Sequence, residues 1–328
     1  MKYFILLLII TSNISLYAKG EELTLIVDLE EKHPSVIKEI SKSPDPDNYM
    51  KQYELYIENY NKVIKKSVED LWTFNSKVVF KTKSQREQLL SKGAKKYIVL
   101  CNGYFRQNPF YSIQKKETYQ NYFKRVASPS GRSVLRDRLY VISGDILKIE
   151  TEQDFINSGM SAMCNVPSSQ EIMYNYDEVY MRNAIQILNE MCKDSWGKFA
   201  VSQKKFWLKF DQNLKPIDGN TNTIFVNTND LKKGETLPKS LGNVSIIGFN
   251  GTERVSDLVK DKNAFILIRK DPLFIKCDQK SLGVVSISKS PVKYMLYSTT
   301  QKEVVSTFCG NTFLSKGDLE TFLKIIKQ

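Results

Sequence analysis

Short apolar runs alternate with longer stretches of helical periodicity along this chain. Leu23 to Leu29 is apolar, β-branched and brief, and reads as a buried strand. His33-Pro34 and the segment Ser41 to Asp47, which holds Pro44 and Pro46, break the chain. A long helix is expected next. Tyr49, Tyr53, Tyr56, Ile57, Tyr60, Val63, Ile64, Val68 and Leu71 fall three and four apart, on one helical face. Asp45 or Asp47 is placed to cap it, and Trp72 and Phe74 to close it onto the core.

A strand–helix–strand unit follows. Lys77 to Phe80 reads as a strand, Ser84 to Lys92 as a helix stopped by Gly93, and Tyr97 to Cys101 as a second strand ended by Asn102-Gly103. Ser84 and Glu87 have the spacing of a capping box. The unit has an echo: Ile246 to Ile268 lies over Val78 to Leu100 without a gap, matching both strands and the pairs Arg86/Arg254 and Leu90/Leu258. A helix from Asp177 to Trp196 likewise echoes the one ending at Trp72. Two unrelated strand–helix–strand units share such a hydrophobic pattern too, so internal duplication is a possibility that superposition must decide.

Further strands are expected at Leu139 to Ser143, Asp145 to Ile149, Phe206 to Phe210 and Thr223 to Val226. Val284 to Ile287 and Tyr294 to Tyr297 read as an antiparallel pair joined through Pro291, and Leu319 to Lys327 as a final helix. The mixed order makes the fold class α/β or α+β, with two lobes that each contain a strand–helix–strand unit. The expected organisation is an export signal over 1–18, an N-terminal α/β lobe over 19–150, a helical connector over 151–215 and a C-terminal α/β lobe over 216–328.

The helix that carries Tyr60-Asn61 and runs into Trp72, followed by a short strand–helix–strand, resembles an arrangement in uncharacterised secreted proteins of Bacteroidetes-type bacteria. The resemblance covers the first third of the chain and the echo at Ile246 to Ile268. It implies export and carries no assigned activity.

The first residues agree with export. Lys2 precedes an apolar run from Phe4 to Ile10, and Leu16-Tyr17-Ala18 leads to Lys19, the layout of a secretory signal peptide. The apolar core is shorter than the ~20 residues that cross a bilayer, and Asn13 interrupts it, so cleavage is expected rather than a retained anchor. No other segment reads as a membrane span. The mature chain is expected in a periplasm or outside the cell.

Charge narrows the partners. With 48 Lys and Arg against 36 Asp and Glu, the net charge is +12. A basic exported protein can meet anionic lipids, acidic glycans or nucleic acid. Its lysines are scattered, however, so they read as a solubilising surface, and specific nucleic-acid binding is not expected. Envelope proteins or anionic envelope components are the expected partners. The five cysteines, Cys101, Cys164, Cys192, Cys277 and Cys309, leave at least one thiol outside any intrachain pairing, and Cys277 with Cys309 is the pair to test first.

Candidate chemistry is sparse. His33 is the only histidine, so a His-based metal cluster is excluded, and its place before Pro34 suits a solvated loop. No Walker loop or GxGxxG is present, and no cofactor is expected. Asp28 ends a strand, where ligand sites of open α/β sheets lie, and Glu30 and Glu31 follow it; a carboxylate-bound cation competes with an ordinary turn. Cys101 at another strand end is either a nucleophile or a small buried apolar group. The basic run Lys124, Arg125, Arg132, Arg136 and Arg138, next to Tyr122, suits an anion-gripping loop with stacking aromatics; Arg132, Arg136, Arg138 and Tyr122 are the candidate binding residues. Trp72 and Trp196 read as packing anchors. No catalytic set emerges. The function expected is therefore a non-enzymatic envelope or extracellular binding protein, with a hydrolase or transferase of unfamiliar type, using carboxylates or a Cys thiol, as the alternative.

Overall fold

The computed structural model describes residues 22–102, 118, 121, 136–144, 159–165, 176–196, 210–211, 214, 221–250, 253–270, 292–310 and 313–326. The expected export signal, the expected strands at Asp145 to Ile149 and Val284 to Ile287, Tyr122 and Arg132 lie outside them. The chain divides into two compact units: Met1–Cys164 with Ala184–Val201, and Asn165–Asn183 with Ser202–Gln328. Residues 151–215, expected as a connector, are distributed between the two.

The first unit opens with β1 (Thr24–Leu29), α1 (Pro34–Ser41), α2 (Pro46–Leu71) and β2 (Lys77–Thr82). It continues through α3 (Lys83–Ser91), β3 (Tyr97–Asn102), β4 (Arg136–Ser143) and β5 (Gly159–Asn165). Pro34 does not simply break the chain: it occupies the first turn of α1, where its missing N–H costs nothing. The helix α2 is the long one expected, with the tyrosine stripe Tyr49, Tyr53, Tyr56 and Tyr60 buried. The start of α3 differs from expectation. Thr82, not Ser84, is its N-cap, and the Gln85 side chain accepts the Thr82 N–H at 3.2 Å.

The strand order is β2-β1-β3-β4-β5. β1 is parallel to β2 and β3, and β4 is antiparallel to β3. Because β2 and β3 flank β1 on opposite sides, right-handed crossovers put α2 and α3 on opposite faces of the sheet. Under α3, Leu90 joins Ile26, Val99, Cys101, Tyr140 and Ile142 in one cluster. Leu25, Val27, Ile98, Leu100, Leu139 and Val141 alternate with these along the strands and are buried as well. Trp72 is buried against Phe74, which in turn meets Trp196, so both tryptophans are packing residues.

The second unit contains β6 (Thr223–Asn227), β7 (Ser240–Leu241), β8 (Val244–Phe249), the short α5 (Val255–Leu258, numbered after α4 at Glu178–Ser195) and β9 (Phe265–Lys270). It ends in β10 (Val292–Ser298), β11 (Glu303–Gly310) and α6 (Lys316–Ile326). The boundary between the units falls within α4. The sheet runs β11-β10-β9-β6-β8-β7, with β6 parallel to β8 and β9. β10 holds the expected Tyr294 to Tyr297, and its antiparallel partners are β9 and β11. On one face Leu319 and Phe322 of α6 pack on Ile224, Val226, Phe265, Leu267, Tyr294 and Leu296.

The two sheets share a topology: β6, β8, β9 and β10 repeat the order and directions of β1, β2, β3 and β4, with a further strand beyond, β11 in one and β5 in the other. The register corrects the gap-free overlay. Leu25 pairs with Val78 and Ile98, whereas Ile224 pairs with Ile246 and Phe265. Val78 thus matches Ile246 as expected, but Ile98, not Tyr97, matches Phe265. The second connection is one residue shorter. Without that deletion every β9 side chain would fall on the wrong face of the sheet.

No helix among the described residues is long and apolar enough to cross a membrane.

Candidate functional site

In both units the chain leaves a central strand toward one side and returns on the other, which opens a switch point at the carboxyl ends of β1/β3 and of β6/β9. These are the places where an open α/β sheet holds ligands.

At the first, Asp28 lies one residue beyond the Val27–Leu100 pair and so stands beside Cys101. Arg86 from α3 closes on its Oδ2 in an ion pair that is largely buried, with 11% of the arginine side chain and 15% of the aspartate exposed. Asp28 Oδ1 and Arg86 Nε are buried without a hydrogen-bond partner. Burial pushes the Asp28 carboxyl up to about 7, against the opposing pull of Arg86 and Lys83. Burial, followed by the neighbouring Asp28, pushes the Cys101 thiol far above its ordinary range. Cys101 is a buried free thiol within an apolar cluster, which is the reading of a small core residue.

The glutamates after Asp28 are engaged elsewhere. Glu31 accepts the Ser84 N–H and hydroxyl, both at 3.2 Å, and so secures the first turn of α3. The Glu30 backbone exchanges two hydrogen bonds with the Asn61 side chain, at 2.9 and 3.0 Å. Tyr60 and Tyr53 donate to the Asp28 and Glu31 carbonyls. Sequence proximity thus brought these acids next to one another without converging them on one point, and no group of three potential metal ligands occurs among the described residues. His33 is exposed; its backbone N–H binds the Tyr53 hydroxyl and its ring meets Ser35. Arg136 and Arg138 lie in strand β4, which begins three residues before the expected Leu139.

Beside β8, on the other side of β6 from β9, the second unit carries a feature that sequence reading missed. The connection from β6 to β8 encloses, with Ile246 and Gly248, an open cavity of about 580 Å³. Lys232, Lys233 and Lys239 line it with one carboxylate, Glu235, and with the apolar Leu231, Leu237 and Ile246. The loop is held at both ends. Leu314 N–H donates to the Asp230 carbonyl at 2.8 Å and Lys232 N–H to the Leu314 carbonyl at 3.0 Å, while Ile246 N–H reaches the Lys239 carbonyl at 2.9 Å. Gly234 turns the loop at φ +86°, a conformation that favours glycine. A Cβ on Gly248 would come within 2.9 Å of the Leu237 and Thr228 side chains, so a larger residue there must displace them. Beneath the loop Arg269 pairs with Asp230 at 3.5 Å and stacks on Phe313. Among the described residues no ion pair holds the three lysine ammonium groups. The signal available in sequence was Lys232-Lys233-Gly234, two charges before a turn glycine; what singles it out is the distant Lys239 and the β8 residues that line the same cavity.

No protein-family model, curated protein or solved structure matches the chain.

Proposed function

We propose that this chain is a non-enzymatic binding protein of the envelope or extracellular space, and that it holds an anionic component there through the lysine-rimmed cavity of its second unit. The carrying observation is that cavity: three lysines against one glutamate, with Leu231, Leu237 and Ile246 beside them, in the connection that follows β6. Its volume is of the order of small-ligand sites, roughly 300–1,000 Å³. Cations with leucine and isoleucine beside them suit an anionic head group joined to an apolar portion. The signal-peptide layout of residues 1–18 and the resemblance to secreted bacterial proteins support the compartment, and the basic run Arg132, Arg136 and Arg138 after Tyr122 in the sequence fits the same reading.

The test is a titration of the full mature chain with phosphatidylglycerol-containing vesicles, against phosphatidylcholine alone, at low and physiological salt. At about 1 kcal/mol per lysine near an anionic surface, the triple variant K232A/K233A/K239A loses affinity on the order of a hundredfold. Equal binding by that variant overturns the assignment of the cavity.

A second reading, acid–base chemistry at Asp28, is favoured by one observation: its carboxyl titrates near neutrality beside Arg86. Turnover abolished by Asp28→Asn in a substrate screen would support it.

A further inference from the structure

β2 ends the first sheet, with β1 on one side and no strand on the other among the described residues. Lys77 is exposed, and Val78 to Thr82 are half-buried. A cavity of about 510 Å³ lies on one face of the sheet from this strand inward, lined by Lys77, Val79 and Lys81 of β2, Thr24 of β1, Tyr97 of β3 and Leu89 of α3. Lys77, Val79 and Lys81 share one face by strand alternation. Val79 packs there with Leu89 and Tyr97.

The second unit shows what this edge accepts. Its equivalent strand, β8, carries the antiparallel β7, with Ser240 opposite Ser245 and Leu241 opposite Val244. The chain supplies β7 from the β6–β8 connection. In the first unit the β1–β2 connection is used for α1 and α2, and the corresponding edge receives no strand from it.

We propose that β2 is a docking edge for an extended segment of a partner protein, which adds an antiparallel strand with acidic residues on either side of a central apolar one. Main-chain hydrogen bonds along the edge supply affinity, and Lys77, Val79 and Lys81 select alternate side chains. An apolar side chain opposite Val79 lies against the half-buried Val79 side chain, on the face of the sheet that carries Leu89. Acidic residues two positions to either side stand opposite Lys77 and Lys81. The same lysines select against a second copy of this chain, because antiparallel β2–β2 pairing centred on Val79 sets Lys77 across from Lys81. This surface is separate from the lysine-rimmed cavity and stands or falls without it.

The probe is the peptide Thr-Glu-Thr-Val-Thr-Glu-Thr, blocked at both ends, with a control carrying Lys for Glu. Amide hydrogen exchange of the full mature chain at saturating peptide is expected to slow across 77–82 with the acidic peptide and not with the control. The double variant K77E/K81E changes two side chains at an exposed edge. It is expected to lose roughly tenfold in affinity for the acidic peptide and to prefer the lysine peptide instead. Absence of protection at 77–82 in the unsubstituted protein, or protection confined to other segments, overturns the proposal. So does an unchanged peptide preference in a folded K77E/K81E.

Discussion

Arg86 reaches from α3 to the Asp28 carboxylate at the carboxyl end of β1 and buries with it, across 58 positions of sequence. Removing one member of such a pair strands the other charge away from water. Arg86→Met is expected to destabilise the protein by about 3–5 kcal/mol above pH 7, and by clearly less at pH 5, where Asp28 is neutralised by a proton. Chemical denaturation at the two pH values checks this; an equal loss at both contradicts it.

Asp28 also sets a pH dependence with a definite sign. Burial holds its folded-state carboxyl at about 7, above the ordinary carboxylate value of 3.8, so the native state holds a proton that the unfolded chain has released. The stability contributed by this group is full below about pH 4 and is lost as pH rises through 7. Asp28→Asn is expected to flatten the stability profile between those limits. A slope identical to that of the parent protein excludes Asp28 as its source.

Cys101 and Cys192 are buried thiols, and burial raises both well above the ordinary thiol range. A buried neutral thiol is a poor nucleophile. Neither is expected to react with a thiol-specific disulfide reagent in the native state, and both are expected to react promptly in denaturant. Peptide mapping distinguishes them from the other cysteines. Rapid native labelling of Cys101 would restore the nucleophile reading.

Asp177 receives the Val179 N–H at 2.9 Å, the Ser256 N–H at 2.9 Å and the Ser256 hydroxyl at 3.1 Å. It therefore caps α4 and fixes the segment that begins α5. Asp177→Ala leaves these buried donors unmet and is expected to cost about 2–4 kcal/mol. Ser256→Ala keeps the backbone bond and is expected to cost about 1 kcal/mol. Thermal or denaturant melts of the two variants test the ordering.

Gly144 donates its N–H to the Tyr97 carbonyl at 2.8 Å, and a Cβ there would sit 2.5 Å from the Ala94 carbonyl oxygen. Gly144→Ala must push β4 away from the turn before β3. A loss of about 1–3 kcal/mol is expected, as for other overpacked sites, and an unchanged melting curve contradicts it.

The sequence by itself determined the elements whose signal is local. The spacing from Tyr49 to Leu71 repeats with the helix period, and the apolar runs ending at Leu29 and Cys101 are too short and too β-branched for helices. The mixed fold class and the repeated strand–helix–strand followed from these, because each residue's pattern depends on neighbours a few positions away. Strands β5 and β11 escaped notice: Gly159–Asn165 and Glu303–Gly310 mix small, polar and apolar residues without a marked period. The one-residue difference between the two repeats, the pairing of Asp28 with Arg86 and the gathering of Lys239 with Lys232 and Lys233 were decided by tertiary structure. Strand register and burial assign each of those side chains its neighbours. An aspartate reads the same in sequence whether it faces water, a cation or a buried guanidinium, since what separates the three is the local dielectric and the charge brought to it by a distant part of the chain.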